Sequence, residues 1–332
     1  MNPSRKHPRG SSAFAQRGVT LVELMVALVL GLVVSGAALA LFMTNKQVYT
    51  ASENLDRLQE ASRSAFELMA RDVREADGNP CSNEIALVNG LKNNATYAWW
   101  SNWGTGLHGY TGADAFPLDI PFGTAAGERV AGTPAIELWT ADSTDIRVTA
   151  AMGTMSDDLT VSDTTGSGIA ANDILVICDP VHGTIFQATG VAANTIRHQA
   201  SGTPGNIDAT LPPNVYVPNA VISKLHPVRW YIGYNGRSDN DGNKLTSLYR
   251  VALTSGADDK PDPDEILEGV TGMTLQYHAQ GSPDYVDTPA DWKHVDAVLI
   301  GLNLASRDKV GTDKQTLKRD YEHVVAIRSR AP

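Results

Sequence analysis

An uncharged run of 22 residues, at positions 24–45, constrains the fold of this 332-residue chain more than any other feature. Most of its positions are Leu, Val, Ala, Met or Phe, and it contains no Asp, Glu, Lys or Arg. A helix of about 20 such residues is long enough to span the hydrocarbon core of a bilayer. We therefore predict a membrane-spanning helix close to the N-terminus.

The charges around this run predict its orientation. Arg5, Lys6, Arg9 and Arg17 precede it, and residues 1–18 contain no acid. Basic residues accumulate at the cytoplasmic end of membrane helices, so we expect a cytoplasmic N-terminus and a periplasmic remainder. The whole chain carries a net charge of −10. That charge argues against autonomous binding of nucleic acid, which depends on Lys and Arg neutralising phosphate.

A secretory signal peptide and a plain membrane anchor both explain the apolar run incompletely. A signal peptide has a shorter apolar run followed by a small-residue cleavage site, and this run is too long. A plain anchor accounts for the length and the flanking charges but leaves Glu23 unexplained. A carboxylate at the edge of a membrane span is costly unless it is paired, which makes Glu23 a candidate functional residue.

Residues 17–24 (Arg-Gly-Val-Thr-Leu-Val-Glu-Leu) resemble the class III signal of type IV prepilins and type II secretion pseudopilins. The resemblance implies that prepilin peptidase cleaves after Gly18 and N-methylates Val19, although the usual first residue is Phe or Met. Glu23 would become the fifth mature residue and act in assembly. Because an unpaired carboxylate in apolar surroundings costs several kcal/mol, Glu23 would pair with the N-terminal amine of a neighbouring subunit.

Helical periodicity continues beyond the apolar run to Ala76. A narrow apolar stripe recurs at alternating steps of three and four residues from Val48 to Val73. The breakers Gly78, Asn79 and Pro80 then end the helix. A coiled-coil arm would show the same stripe, but we expect it to pack against the chain's own globular domain, as in pilins.

After Pro80 the pattern changes to short apolar runs separated by Gly, Pro, Asn and Asp, which is typical of strands and turns. The predicted fold class is α+β: a long N-terminal transmembrane and amphipathic helix packed on a C-terminal antiparallel β domain, as in pilins. The expected domains are a prepilin leader over 1–18, the helix over 19–77 with its membrane-spanning part over 19–45, and a periplasmic or extracellular β-rich domain over 78–332.

Nine segments of this domain, many of them rich in Val, Ile, Tyr and Thr, are candidate strands. Residues 82–134 are less regular, and residues 255–265 are predicted to form an exposed acidic loop. The candidate strands are 135–141, 145–150, 174–178, 184–189, 228–234, 247–253, 273–278, 297–304 and 324–328.

Several segments of the globular part resemble the PilW family of minor pilins. They are 71–76 with Cys81 after it, the pair 230–233 and 247–250, then 268–277, and finally 324–330. The resemblance implies a minor pilin of a type IV pilus that acts in initiation or at the tip of pilus assembly. Such a chain is a single-pass protein of the inner membrane before it joins the filament at the cell surface.

The same resemblance implies the partners, which are prepilin peptidase, the other minor pilins, the major pilin and the inner membrane. Nucleic acid is not expected among them, and neither an enzymatic activity nor a cofactor is expected. A J-type minor pseudopilin of a type II secretion system stays open as an alternative, since it shares the signal and the helix.

A membrane-anchored periplasmic enzyme or binding protein is the further alternative. The sequence has no His-Glu-x-x-His, Gly-x-Ser-x-Gly or P-loop lysine motif. Residues 104–109 match the dinucleotide-binding fingerprint letter by letter. No apolar strand precedes them and no helical run follows, so we interpret them as a Gly-rich loop.

Two further constellations have a functional and a structural interpretation. Asp239, Asp241 and Asn243 resemble the first half of a calcium loop but lack the downstream bidentate Glu, so a polar turn is favoured. The tryptophan stretch from Trp99 to Trp103 would form either a contact patch for a neighbour or, as we favour, packing beneath a long loop.

Cys81 and Cys178 are the two cysteines of the chain. The predicted orientation places both outside the cytoplasm, where disulfides persist. Cys81 follows the end of the helix and Cys178 ends a strand candidate. A disulfide between them would fix the base of the helix to the sheet, and two free buried thiols are the alternative.

Overall fold

A computed structural model describes residues 19–78, 80–81, 85, 87–92, 99, 105–116, 120–142, 145–202, 204–253, 262–307, 309 and 315–330. The chain divides into two compact units, Met1–Ser52 and Glu53–Pro332. Gly18 and the rest of the predicted leader, as well as Trp100 and Trp103, lie outside the described residues.

A single α-helix, α1, extends over Leu21–Glu75. It is the one helix in the described part of the chain that is long and apolar enough to cross a membrane, and none of its most apolar stretch is buried. The helix ends where Asp77 adopts a left-handed backbone with φ of 58° and the Gly78 amide donates to the Glu75 carbonyl. The predicted long N-terminal helix is confirmed.

The C-terminal part of α1, within the unit Glu53–Pro332, buries its apolar stripe. Ala65, Met69 and Val73 are almost fully buried, and Leu58 packs beside them. They join a core cluster with side chains from a β-hairpin and from a second, smaller sheet. The prediction that the stripe packs on the chain's own β domain is confirmed for this part of the helix.

Fifteen strands are formed by the described residues, most of them antiparallel to their neighbours, which confirms the predicted α+β class. One pair, the first strand with the sixth, is parallel. The strands are β1 (Leu87–Asn89), β2 (Leu107–Tyr110), β3 (Ala135–Ala141), β4 (Leu159–Thr160), β5 (Ile174–Cys178), β6 (Gly183–Gln187), β7 (Gly190–Ala192), β8 (Thr195–Arg197), β9 (Val221–Ser238), β10 (Lys244–Ala252), β11 (Asp264–Glu268), β12 (Val270–Ala279), β13 (Tyr285–Val286), β14 (Val295–Ala305) and β15 (Lys318–Ala326).

Three sheets result. The eight-stranded sheet has the order β1-β6-β5-β9-β10-β11, with β3 also paired to β9 and β2 paired to β3. The second sheet has the order β13-β12-β14-β15, and the third has the order β4-β8-β7. The strand β9 organises the largest sheet because its first part pairs with β5, its middle with β3, and much of its length with β10.

Two strand-level predictions differ from the structure. The predicted strand at 145–150 is wrong, because that segment makes only isolated bridges, from Arg147 to Val221 and from Val148 to Val161. The end of the predicted acidic loop, at Asp264 and Glu265, belongs to β11, which pairs with β10. The partner strand thus decides whether such short or acidic segments become strands, and the local pattern does not.

Candidate functional sites: the helix start and the helix–sheet joint

Thr20 and Glu23 form a reciprocal capping box at the start of α1. The Glu23 amide donates to Thr20 Oγ1 at 3.3 Å. The Thr20 amide and hydroxyl donate to Glu23 Oε2 at 3.1 and 3.0 Å. A box of this kind satisfies amides that the first helical turn leaves without intrahelical acceptors.

This arrangement gives the Glu23 carboxylate two donors before any partner arrives. Its position in the first turn also places negative charge where the helix dipole favours it. Sequence reasoning singled out Glu23 and Val19 but missed the role of Thr20. The Thr-x-x-Glu spacing was the available signal.

Asp72 forms the joint between α1 and the hairpin β9–β10. Its carboxylate, 5% exposed, accepts a hydrogen bond from Trp230 Nε1 at 3.0 Å and from Arg250 Nε at 2.8 Å. Trp230 and Arg250 are directly paired across the two strands. A buried carboxylate is tolerated when donors satisfy it, so these two side chains make the charge compatible with the core.

A second joint ties the end of α1 to the C-terminal segment. Arg330 Nε donates to Asp77 Oδ2 at 2.9 Å, and Arg330 Nη1 donates to the Trp292 carbonyl at 2.7 Å. The Ser329 hydroxyl donates to the Ala76 carbonyl at 2.9 Å. Burial raises the pKa of Asp77, and the Arg330 guanidinium opposes that rise.

Sequence reasoning also missed a buried ion pair inside the β domain. Arg229 and Glu137 are fully or almost fully buried, with Arg229 Nε 2.8 Å from Glu137 Oε1. The Tyr110 hydroxyl donates to the other oxygen of Glu137 at 3.0 Å. The ring of Trp99 lies 4.4 Å from the Arg229 guanidinium and is buried. Trp99 therefore packs in the core, as favoured, and is not part of an exposed patch.

Cys81 and Cys178 form a disulfide in the structure, with their Cα atoms 5.6 Å apart and a sequence separation of 97. Cys178 ends β5, whose residues are all buried. Gly183 pairs with Cys178 across the sheet, and a Cβ on it would collide with the Leu87 side chain but would make only an ordinary contact of 3.6 Å with Cys81 Sγ. The disulfide thereby connects the segment after the helix to the large sheet.

In the loop that resembles a calcium site, the carboxylates of Asp239 and Asp241 bind other groups of the chain. Asp239 Oδ1 accepts from the amides of Asp241 and Asn243 at 2.9 and 2.8 Å, and Asp239 Oδ2 accepts from Asn243 Nδ2 at 2.8 Å. Lys309 Nζ lies 2.6 Å from Asp241 Oδ2. The hydrogen bonds from Asn243 lower the pKa of Asp239. Among the described residues no group of three or more His, Cys, Asp or Glu side chains is placed to hold a metal. The hydrogen bonds within the loop are those of a polar turn.

The glycines of the dinucleotide-like segment are explained by packing where the structure describes them. Gly109 lies in β2, and a Cβ on it would collide with the side chains of Tyr277 and Trp292. Gly106 has a φ of 71° and lies against the Asp77 side chain. The segment leads into a strand, so it lacks the loop-to-helix context of a phosphate-binding turn.

Comparison with protein families identifies the prokaryotic N-terminal methylation motif over residues 14–39. The match includes Gly18, Val19 and Glu23 and the first 16 of the 22 residues of the apolar run. It supports a type IV pilin-like protein, that is, a pilin or pseudopilin-type subunit. Proteins with this motif are structural subunits that prepilin peptidase processes and that assemble with other pilins at the inner membrane. Neither the curated proteins nor the solved structures include a match to the chain.

Proposed function

We propose that this chain is a PilW-like minor pilin of a type IV pilus that acts in initiation or at the tip of pilus assembly. The joint at Asp72 is the observation that carries this proposal. Asp72 belongs to the first segment that resembles the PilW family, and Trp230 and Arg250 belong to the next two. Three separate parts of the resemblance therefore meet in one buried hydrogen-bonded cluster.

The remaining segments of the resemblance support the same proposal. Residues 268–277 include most of β12, whose Val270, Met273 and Leu275 belong to the core cluster that also receives α1. The C-terminal segment ends in Arg330, which bonds to Asp77 at the end of the helix. The segments that resemble the PilW family thus pack around the same helix, as expected if the resemblance reflects a shared fold.

In the proposed pathway, prepilin peptidase removes the leader 1–18 after Gly18 and methylates the new amine of Val19. The helix over 19–77 stays in the inner membrane through its part 19–45, and the domain over 78–332 faces the periplasm. Glu23 then pairs with the positive amine of a neighbouring subunit, and the chain moves into the filament at the cell surface. Glu23 lies in the first helical turn and Val19 lies two residues before the helix begins, so pairing would set the axial register between subunits.

Deletion of the gene tests the pilus assignment against the secretion alternative. We expect surface pili to be lost or greatly reduced while proteins exported by type II secretion still reach the medium. Re-expression of the chain is the control and should restore the pili. Intact pili combined with failed secretion would instead identify a J-type pseudopilin, and no change in either would favour a membrane-anchored binding protein or enzyme.

A further inference from the structure

A cleft of about 710 Å³ opens in the unit Glu53–Pro332, beside the end of α1. Three arginines from distant parts of the sequence line it: Arg74 from the last turn of the helix, Arg147 from the bridged segment after β3, and Arg328 from the C-terminal segment. Its volume lies in the range of clefts that bind ligands. The cleft is separate from the motif at the helix start.

The described residues provide no partner for the three guanidinium groups. Each side chain is exposed, and none forms a hydrogen bond or ion pair within the described residues. Some other exposed arginines, Arg57 and Arg63 among them, pair with a carboxylate. In a chain with a net charge of −10, three unpaired guanidinium groups around one cleft form a local site of opposite sign.

Two carboxylates, Glu75 and Asp142, share the cleft with the three arginines, so its formal charge is 3 − 2 = +1. Asp142 Oδ2 is 2.7 Å from His226 Nε2, so that carboxylate has its own partner. Glu75 lines the same cleft from the last turn of α1. The Ala141 amide donates to the Gly78 carbonyl at 2.7 Å, which connects two lining residues of the cleft. The cleft is therefore lined by three guanidinium groups as donors and two carboxylates as acceptors.

We propose that this cleft binds an acidic peptide segment of a partner protein. Guanidinium groups bind carboxylates through paired hydrogen bonds, and three of them suit a segment with several Asp or Glu side chains. The carboxylates of Glu75 and Asp142 can accept hydrogen bonds from backbone amides of the same peptide. The identification of the partner as another pilin subunit rests on the proposed function.

A nucleic acid fits these observations less well. Its phosphodiester backbone offers no donor to Glu75 or Asp142. A long polyanion would also extend beyond the cleft, where the net negative charge of the chain repels it. A short acidic peptide places its charges on the arginines alone.

Binding of fluorescein-labelled hexaglutamate to the full-length chain in detergent micelles, measured by fluorescence anisotropy, tests the proposal. Arg74→Gln, Arg147→Gln and Arg328→Gln should each weaken binding about tenfold, because each removes a charge-assisted hydrogen bond. The triple variant should not bind. Arg319→Gln, which removes the same charge from an exposed position on β15, is the matched control and should bind as the wild type does.

Three results would overturn the proposal. Failure of the wild type to bind hexaglutamate would contradict the proposal directly. Equal weakening by Arg319→Gln would show general charge attraction and no defined site. Tighter binding of a labelled oligonucleotide, with the same dependence on the three arginines, would show that the cleft binds nucleic acid and not an acidic peptide. None of these results bears on pilin processing, which is measured separately at the N-terminus.

Discussion

The Glu23 carboxylate has a local role in the capping box with Thr20, and the proposed function adds an intermolecular role. The apolar run makes a free carboxylate costly, but the amide and hydroxyl of Thr20 satisfy part of its hydrogen-bonding capacity. A neighbouring amine must therefore compete with Thr20, and it gains from its full positive charge. The capping box explains how the precursor holds Glu23 at the helix start before assembly.

Processing at Gly18 is the first prediction at this scale. The mature protein should begin with N-methyl-Val19, and Gly18→Phe should leave the leader attached, because the backbone must pass close to the protease at the cleaved bond. Intact-mass measurement checks both. The same substitution at Gly10, within the leader, is the control and should be processed normally. A wild-type mature protein that begins at Met1 would contradict the prediction.

Replacement of Glu23 separates assembly from folding. Glu23→Ala should leave the melting temperature of the β domain unchanged, since the hydrogen bonds of Glu23 go to Thr20, and it should reduce incorporation into filaments. Quantification of the subunit in sheared pili measures incorporation. Thr20→Val keeps the carboxylate and should retain more incorporation than Glu23→Ala. Equal incorporation of Glu23→Ala and the wild type would refute the pairing.

Among the elements, the contact of α1 with the hairpin β9–β10 combines an apolar stripe with one buried charge. The stripe buries apolar surface, but it would let the helix slide along the sheet, since Ala, Met and Val side chains make non-directional contacts. Asp72 adds directional hydrogen bonds to Trp230 and Arg250. This joint therefore fixes the register and rotation of the helix on the sheet.

Asp72→Ala should lower the free energy of unfolding by about 2–4 kcal/mol, because Trp230 Nε1 and the Arg250 guanidinium lose their buried acceptor. Chemical denaturation of the full chain in detergent, followed by tryptophan fluorescence, measures the change. Asp56→Ala is the matched control on an exposed position of the same helix and should change the value by less than about 0.5 kcal/mol. Equal effects of the two substitutions would show that the joint is dispensable.

In the whole molecule, the Cys81–Cys178 bond closes a loop of 97 residues that begins just beyond the helix. The loop contains β1 to β5, apart from the strand end at Cys178 itself. Chain-entropy arguments give such a closure a stabilisation of about 4–5 kcal/mol. That amount is comparable with the whole stability of many domains. The bond would also carry force between the helix and the large sheet when a filament is pulled.

Thiol labelling tests this bond. The unreduced, denatured protein should show no reactive thiol, and the reduced protein should show two per chain. Reduction should lower the melting temperature by about 10 °C or more, given the stabilisation expected from loop closure. The double variant Cys81→Ser and Cys178→Ser is the control, and its melting temperature should not respond to reductant. Two reactive thiols in the unreduced protein would mean that the stripe of α1 holds the helix without the bond.

The sequence by itself determined the features that depend on neighbouring residues. The uncharged run predicted the membrane-compatible helix, the steps of three and four predicted its buried stripe, and Gly18 to Glu23 predicted the methylation motif that the family comparison identifies. Alternation and turn residues predicted the central strands β3, β5, β9 and β10. Each of these signals lies within a few residues of the structure that it specifies, so a single sequence is enough to detect it.

Only the tertiary structure decided the features whose partners are distant in sequence. The partners of Asp72, Trp230 and Arg250, lie 158 and 178 residues further along the chain, so no local pattern marks this carboxylate as buried. Segment 145–150 has a strand-like composition but finds no continuous partner, whereas the acidic β11 pairs with β10. The three cleft arginines likewise converge from positions 74, 147 and 328. Hydrogen bonds, strand pairing and charge depend on distance in space, and the order of residues along the chain does not reveal that distance.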